Sequence, residues 1–412
     1  MLFPLAKKGS PCRVVITGAG IVTGLGLGWR TNADGFRAGR NAFRKVTRFD
    51  VSRQRAQIAA EVDLPPNPPS TRLSRSARAR LSPSASMLLF AAHEAWTQSG
   101  WQPGENLPLM LGTTSGAMSL GEAYLRQAME SPRSKRRQPT RVIHYQIQRE
   151  ALNVCDAFGF SGPITIIANA CASGANALGH AWELLRSGRV ERVFAGGYDA
   201  LCQLTFSGFD SLQALSADPC RPFDAHRNGL TLGEGAAMFA LETLDSARRR
   251  NAEILGEITG YGASTDIHHL TQPHPAGDAA FAAMTAACAA AATTPEQVDY
   301  VNAHGTATVQ NDGPEALAIS RWAGACAATL PVSSTKASIG HLLGGAGAVE
   351  AAVCLMALRE QWLPPQIGTG TADPACAFSL VREPKDARIN VALTNSFGFG
   401  GANASLLLRR WS

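Results

Sequence analysis

The sequence is poor in the features that would tie it to a metal, a membrane or a nucleic acid. Its nine cysteines are scattered, with no CxxC pair and no spacing of the kind that holds zinc, so no metal is expected. An odd number without a framework fits a reducing compartment, and the expected location is cytoplasmic. No apolar run reaches the roughly 20 residues that a membrane span needs. The best, GGAGAVEAAVCLMAL, is shorter and carries Glu350. The opening MLFPLAKKGSPC is too short for a secretory signal. Charge of one sign is scarce too: 38 Lys and Arg against 32 Asp and Glu leave +6 over 412 residues. That balance argues against a general nucleic-acid binder but permits a local basic patch for an acidic partner. No low-complexity linker divides the chain.

What is present is an α/β pattern. Hydrophobic residues make up 45%, enough for a large folded core, and 40 glycines suggest close helix–sheet packing. Strands are predicted at 14–17, 164–167, 191–197, 236–242, 298–305, 330–336 and 389–396. Helices are predicted at 84–98, 175–187, 279–291, 313–322 and 346–359. RLSRSARARLS (72–82) and SPRSKRRQPTR (131–141) read as basic loops. A faint duplication shows, since a strand leads to a chemistry-bearing turn in ANACASG, VDYVNAHGTATVQND and PVSSTKASIGHLLGGAGA.

Several turns could carry chemistry. VVITGAGIVTGLG misses the dinucleotide fingerprint, because Thr23 stands where the third glycine belongs; a tight strand-to-helix turn is the reading. Cys171 follows the buried-looking strand ITII and precedes a helix, where the positive helix end would lower its pKa. Ala170, Ala172, Ser173 and Gly174 would leave room for a reactant. The alternative is an inert core cysteine, since Cys is among the most buried residues. His304 stands at a strand end beside Thr306 and Thr308, and Lys336 lies five residues before His341. A lone histidine is usually a satisfied core residue and a lysine usually solvated. NSFGFGGAN (395–403) strings glycines around Phe399, letting backbone N–H groups approach a ligand or making a sharp turn.

Together, ACASG, RPFDAHRNGLTLGEGAA (221–237), HGTAT, KASIGH and NSFGFGGAN resemble the β-ketoacyl-ACP synthases in order and approximate spacing, from Val14 onward. The resemblance implies a thiolase fold, two similar βα halves (1–250 and 251–412) in five α-β-α-β-α layers. It implies Cys171 as the acyl-accepting nucleophile, with His304 and His341 assisting decarboxylation of malonyl-ACP. Lys336 would hold the electrostatics through Glu315 or Glu350. Backbone N–H groups of Cys171 and Phe399 would form the oxyanion hole, with Phe399 also the gate. Thr306 and Thr308 would bind phosphopantetheine, and Ser115 and Phe209 would line the acyl pocket. No cofactor is implied beyond the phosphopantetheine of the acyl carrier protein. Arg75, Arg78, Arg80, Arg133 and Arg136 would dock that acidic protein.

His341 resembles the elongating Cys-His-His branch, whereas the initiating branch has asparagine there. The implied reaction is a decarboxylative Claisen condensation in fatty-acid-type elongation. The second reading is a type II polyketide or polyene ketosynthase subunit, so the partner is a second copy or a related subunit. A non-catalytic scaffold subunit disagrees with the intact Cys171, His304 and His341, and a thiolase with the lack of a second cysteine in a CxG context. One departure stands out: Arg141, His144, Tyr145 and Gln146 make a usually apolar segment polar. With the small Ser115, that points away from an ordinary saturated acyl chain.

Overall fold

The computed structural model describes residues 3–4, 10–130 and 139–412. Among them a twelve-stranded mixed sheet is laid down in two passes. The first runs β1 (Val14–Thr23), helix α1 (Pro83–Ser99), β2 (Leu109–Gly112), β3 (Ile164–Ile167), α2 (Ser173–Arg186), β4 (Arg192–Asp199) and β5 (Gly235–Thr243). The second repeats it with β6 (Gly256–Thr265), α3 (Asp278–Ala290), β7 (Tyr300–Asn302), β8 (Pro331–Ser333) and α4 (Ala346–Glu360). After the two-residue β9 (Ser379–Leu380) come β10 (Val391–Phe397) and β11 (Ala402–Arg409).

Pairing repeats as well. β2 lies parallel to β3 and β4, and β4 antiparallel to β5. Likewise β7 lies parallel to β8 and β10, and β10 antiparallel to β11. β5 pairs with β1, β11 with β6, and Val14–Ile16 of β1 joins the two passes against Gly256–Ile258 of β6. The full order is β9-β8-β7-β10-β11-β6-β1-β5-β4-β2-β3, with Gly26–Leu27 folded back on β1.

Helix α1 covers one outer face against β1 and β5, and α3 covers the other against β6 and β11; α2 and α4 pack on each other between them. This is the five-layered thiolase arrangement. It explains GGAGAVEAAVCLMAL: Ala346 to Leu358 are all buried, and a helix enclosed on every side is apolar nearly all round, here with Glu350 as the exception. No described helix is long and apolar enough to cross a membrane.

Several expectations change. The GAG of the first motif is strand, not a strand-to-helix turn, since β1 runs on to Thr23 with a bulge between Ile16 and Gly18. Its glycines admit α1: a Cβ on Gly18 would stand 2.1 Å from the Ala95 carbonyl oxygen. ITII is half-buried rather than buried, because β3 ends the sheet. Part of the basic stretch 72–82 is a one-turn helix, Arg75–Arg78, capped by Ser74. The strands β2, β6 and β11 were not among those predicted; in β6 the glycines that obscure the pattern let α3 approach, a Gly260 Cβ falling 2.1 Å from the Ala287 carbonyl oxygen.

Candidate active site

Four turns converge beyond the strand ends, where ligands of parallel α/β sheets collect. Cys171 follows β3, His304 follows β7, Lys336 and His341 follow β8, and Phe399 sits in the β10–β11 hairpin. Cys171, His304, His341, Phe399, Thr306, Thr308 and Phe209 line one cavity. Ligand-capable atoms of Cys171, His304 and His341 all lie within 4.8 Å of one another. Sequence distance hid this, since 170 residues separate Cys171 from His341.

The thiol is presented by a strained turn. Ala170 takes a left-handed φ of 57°, which a Cβ-bearing residue rarely adopts. Ser173 holds it there, its hydroxyl donating to the Ala170 carbonyl (2.5 Å) and accepting the Asn169 N–H (3.0 Å). The small neighbours serve a purpose other than the one the sequence suggested. A Cβ on Gly174 would lie 2.8 Å from the Gly344 carbonyl oxygen, so the starts of α2 and α4 cross here in direct contact. Ala172 is fully buried. The room belongs to the other helix, not to a reactant.

Burial also overturns the expected thiol acidity. The Cys171 pKa is pushed up to about 11 by desolvation, against smaller downward pulls from Lys336 and the Phe399 N–H. Loss of water outweighs both of those pulls. The same burial holds both imidazoles well below their usual range, with Lys336 adding to it, so both are neutral.

Their tautomers follow from their neighbours. The Leu343 N–H donates to His341 Nδ1 (3.0 Å), which leaves the proton on Nε2. Lys336 Nζ faces His304 Nδ1 at 3.4 Å, and an ammonium can only donate, so His304 also carries its proton on Nε2. His341 Nε2 is buried without a partner. The rings stand edge to face, centroids 5.3 Å apart.

Lys336 is not solvated. It is 1% exposed and ion-paired with Glu350, whose pKa burial raises to about 7 against the pull of the lysine. Glu315 has a different task from the one expected: its carboxylate accepts the N–H groups of His304 and Gly305, both at 2.7 Å, fixing the turn rather than the lysine. Asp312 does the same for Thr306 and Ala307. Thr306 and Thr308 hydroxyls lie 2.9 Å apart on the cavity wall. Phe399 stacks on Phe209 at 5.6 Å.

Other predicted residues lie apart. Ser115 lines a separate cavity with Tyr145, Gln146 and Gln148, not the one into which Cys171 opens. Arg75 and Arg80 are exposed and Arg78 half-buried, while Arg133 and Arg136 lie outside the described residues.

Sequence reasoning missed Asp199, which ties the two passes together. Buried at the end of β4, it accepts from Thr113 Oγ1 and from the N–H groups of Thr114, Ser115 and Gly344. An acid closing the apolar run FAGGYD was the available signal. The RPFDAHRNGLTLGEGAA segment now has a task too: the Thr231 carbonyl and the Gly233 N–H clamp the backbone of His341.

Residues 12–247 match the Beta-ketoacyl synthase, N-terminal domain, and residues 255–369 the Beta-ketoacyl synthase, C-terminal domain. The chain is 36% identical to the 3-oxoacyl-[acyl-carrier-protein] synthase 2 of Rhizobium meliloti (strain 1021), over 97% of this chain and 99% of that protein. It is 34% identical to the tetracenomycin polyketide synthase ketoacyl synthase alpha subunit of Streptomyces glaucescens, over 97% of each. Among solved structures, the ishigamide ketosynthase/chain length factor superposes with a TM-score of 0.89 at 30% identity, covering 98% of this chain and all of that one. The chain therefore belongs to the beta-ketoacyl synthase family and is an acyltransferase that forms carbon–carbon bonds.

Proposed function

We propose that this beta-ketoacyl synthase elongates an acyl chain held as a thioester on Cys171, taking its two-carbon unit from malonyl-ACP. The clustering of one thiol with two Nε2–H imidazoles in a single cavity carries the reading. In the first half-reaction the Cys171 sulfur attacks the thioester carbonyl of acyl-ACP. The N–H groups of Cys171 and Phe399 receive the oxyanion, and the thiol proton leaves with the phosphopantetheine sulfur. A thiol whose pKa lies near 11 is mostly protonated at pH 7, so it needs this assistance as the bond forms. In the second, malonyl-ACP loses CO2; the Nε2–H groups of His304 and His341 stabilise the enolate oxygen, and the enolate carbon attacks the acyl carbonyl. The tetrahedral adduct collapses by breaking the bond to Cys171, whose thiolate takes up a proton from solvent as the β-ketoacyl-ACP leaves. Lys336 acts through His304 by keeping Nδ1 an acceptor, and Thr306 and Thr308 offer hydroxyls to the pantetheine amides.

The carrier protein would dock on the basic face around Arg75, Arg78 and Arg80, the sequence also offering Arg133 and Arg136. Substrates arrive on phosphopantetheine and no cofactor is invoked; the setting is the cytoplasm. The halves would divide at residue 250, a division supported by the repeat of β1–β5 in β6–β11.

The second reading, a type II polyketide or polyene ketosynthase paired with a related subunit, draws on the likeness to the ishigamide ketosynthase/chain length factor. In either case a partner would cover the surface of the helices Met118–Glu130, Pro139–Tyr145 and Gln203–Ser211, where Leu125, Met129, Ile143 and Leu204 are more than half exposed. Intact mass spectrometry after incubation with a panel of acyl-ACPs tests the reading. Acyl adducts on the wild type and none on Cys171→Ala are expected. Loading on the variant would refute the assigned nucleophile, and the acyl groups taken up separate the two pathways.

A further inference from the structure

Cys171, His304 and His341 are the one group among the described residues with the composition and spacing of a three-ligand metal site. Tetrahedral zinc would hold such atoms roughly 3.4–3.6 Å apart, so side-chain shifts of about 1 Å would close the site. A buried thiol with two neutral imidazoles is an attractive set for Zn2+ or Co2+. Yet the lone pairs point the wrong way. A metal takes an imidazole nitrogen that carries no proton, and both rings present Nε2–H to the cavity.

We propose that Lys336 and the Leu343 N–H make this thiol–imidazole cluster refuse divalent cations, Lys336 being the residue that decides the selectivity. Binding through Nε2 would move each ring proton to Nδ1. On His341 that proton would meet the Leu343 N–H, 3.0 Å away, and on His304 the Lys336 ammonium, 3.4 Å away. Each ring would exchange an accepted hydrogen bond for two donors pointing at each other. Metal-binding histidines show the reverse arrangement, the second nitrogen donating to a carboxylate or carbonyl. The ammonium also places a positive charge beside the cation, buried where water screens little. The raised thiol pKa acts in the same direction, because a metal takes the thiolate and the proton must leave to solvent. An enzyme that needs a thiol and two imidazoles within 4.8 Å of one another thereby keeps them free of zinc.

The test needs no substrate, so it stands or falls apart from the condensation reading. Co2+ is titrated into the wild type, Lys336→Arg and the double variant Lys336→Met/Glu350→Gln, following the thiolate-to-Co2+ charge-transfer absorption. The double variant removes the ammonium without leaving Glu350 as an unpaired buried acid or a spare ligand. No band is expected for the wild type or for Lys336→Arg. The double variant should bind one Co2+ at least about 10- to 100-fold more tightly, and adding Cys171→Ala should abolish its band. A one-to-one, Cys171-dependent band in the wild type would overturn the proposal. So would a double variant that melts cooperatively yet takes up no Co2+. Should the double variant not fold, Zn2+ inhibition of iodoacetamide labelling at Cys171 in the wild type decides: protection that a chelator reverses refutes it, and unaltered labelling supports it.

Discussion

The turn after β3 and the turn after β8 occupy the same place in the two passes of the fold, and they have been put to opposite uses. The first carries a thiol on a backbone strained at Ala170, with only small residues around it. The second carries no nucleophile but supplies a buried ammonium, an imidazole and the N–H that fixes that imidazole's tautomer. They meet where Gly174 and Gly344 allow α2 and α4 to cross. The repeated topology sets two similar strand–turn–helix units face to face, with the thiol on one and the ammonium and imidazole on the other. The comparison also shows how differently the two turns tolerate burial. The thiol stays neutral and merely loses acidity, whereas the lysine survives burial because Glu350 was buried with it.

The contrast breaks most sharply at the first turn. Cys171→Ala should lower condensation by about 1,000-fold or more, with thermal unfolding little changed. Steady-state product formation and a melting curve together check it; a melting point lowered as much as by a core mutation would show that the turn is structural after all. At the second turn the expected loss is stability as well as rate. Lys336→Ala leaves Glu350 buried alone and should cost about 3–5 kcal/mol in denaturant unfolding, most of it recovered when Glu350→Gln is added. At the crossing, Gly174→Ala should cost about 1–3 kcal/mol, because its Cβ would press on the Gly344 carbonyl oxygen. Alanine there with no loss would mean that the helices are free to part. The finest distinction is in pH. With its pKa raised to about 11, Cys171 should be alkylated about tenfold faster per pH unit from 7 to 10, while an ordinary thiol levels off above about pH 9. A plateau near pH 8 would restore the helix end as the dominant influence.

The strands and helices with a clean apolar period were legible in the sequence, and so were the turns that meet at the cavity, because their cysteine, lysine and histidine residues stand in short runs of small residues such as ACASG and KASIGH. The strand β6 was not, since glycines admitting α3 break its alternation. Asp199, Asp312 and the clamp on His341 escaped as well; each acts through backbone N–H groups brought from distant segments, and that leaves no local pattern. Glu315 was picked out for the right neighbourhood and the wrong contact.

By itself the sequence determined the order of the elements with a clean apolar period, the residue types at the turns that meet in the cavity and the absence of a long apolar run, since these depend on covalent neighbours and on period alone. The tertiary structure decided which small residues make room for a helix and which acid stands against Lys336. It also decided where each imidazole keeps its proton and how far the loss of water raises the pKa of the thiol. Those outcomes depend on desolvation and on hydrogen bonds between residues far apart in the chain, and both come into being only when the two passes of the sheet close on each other.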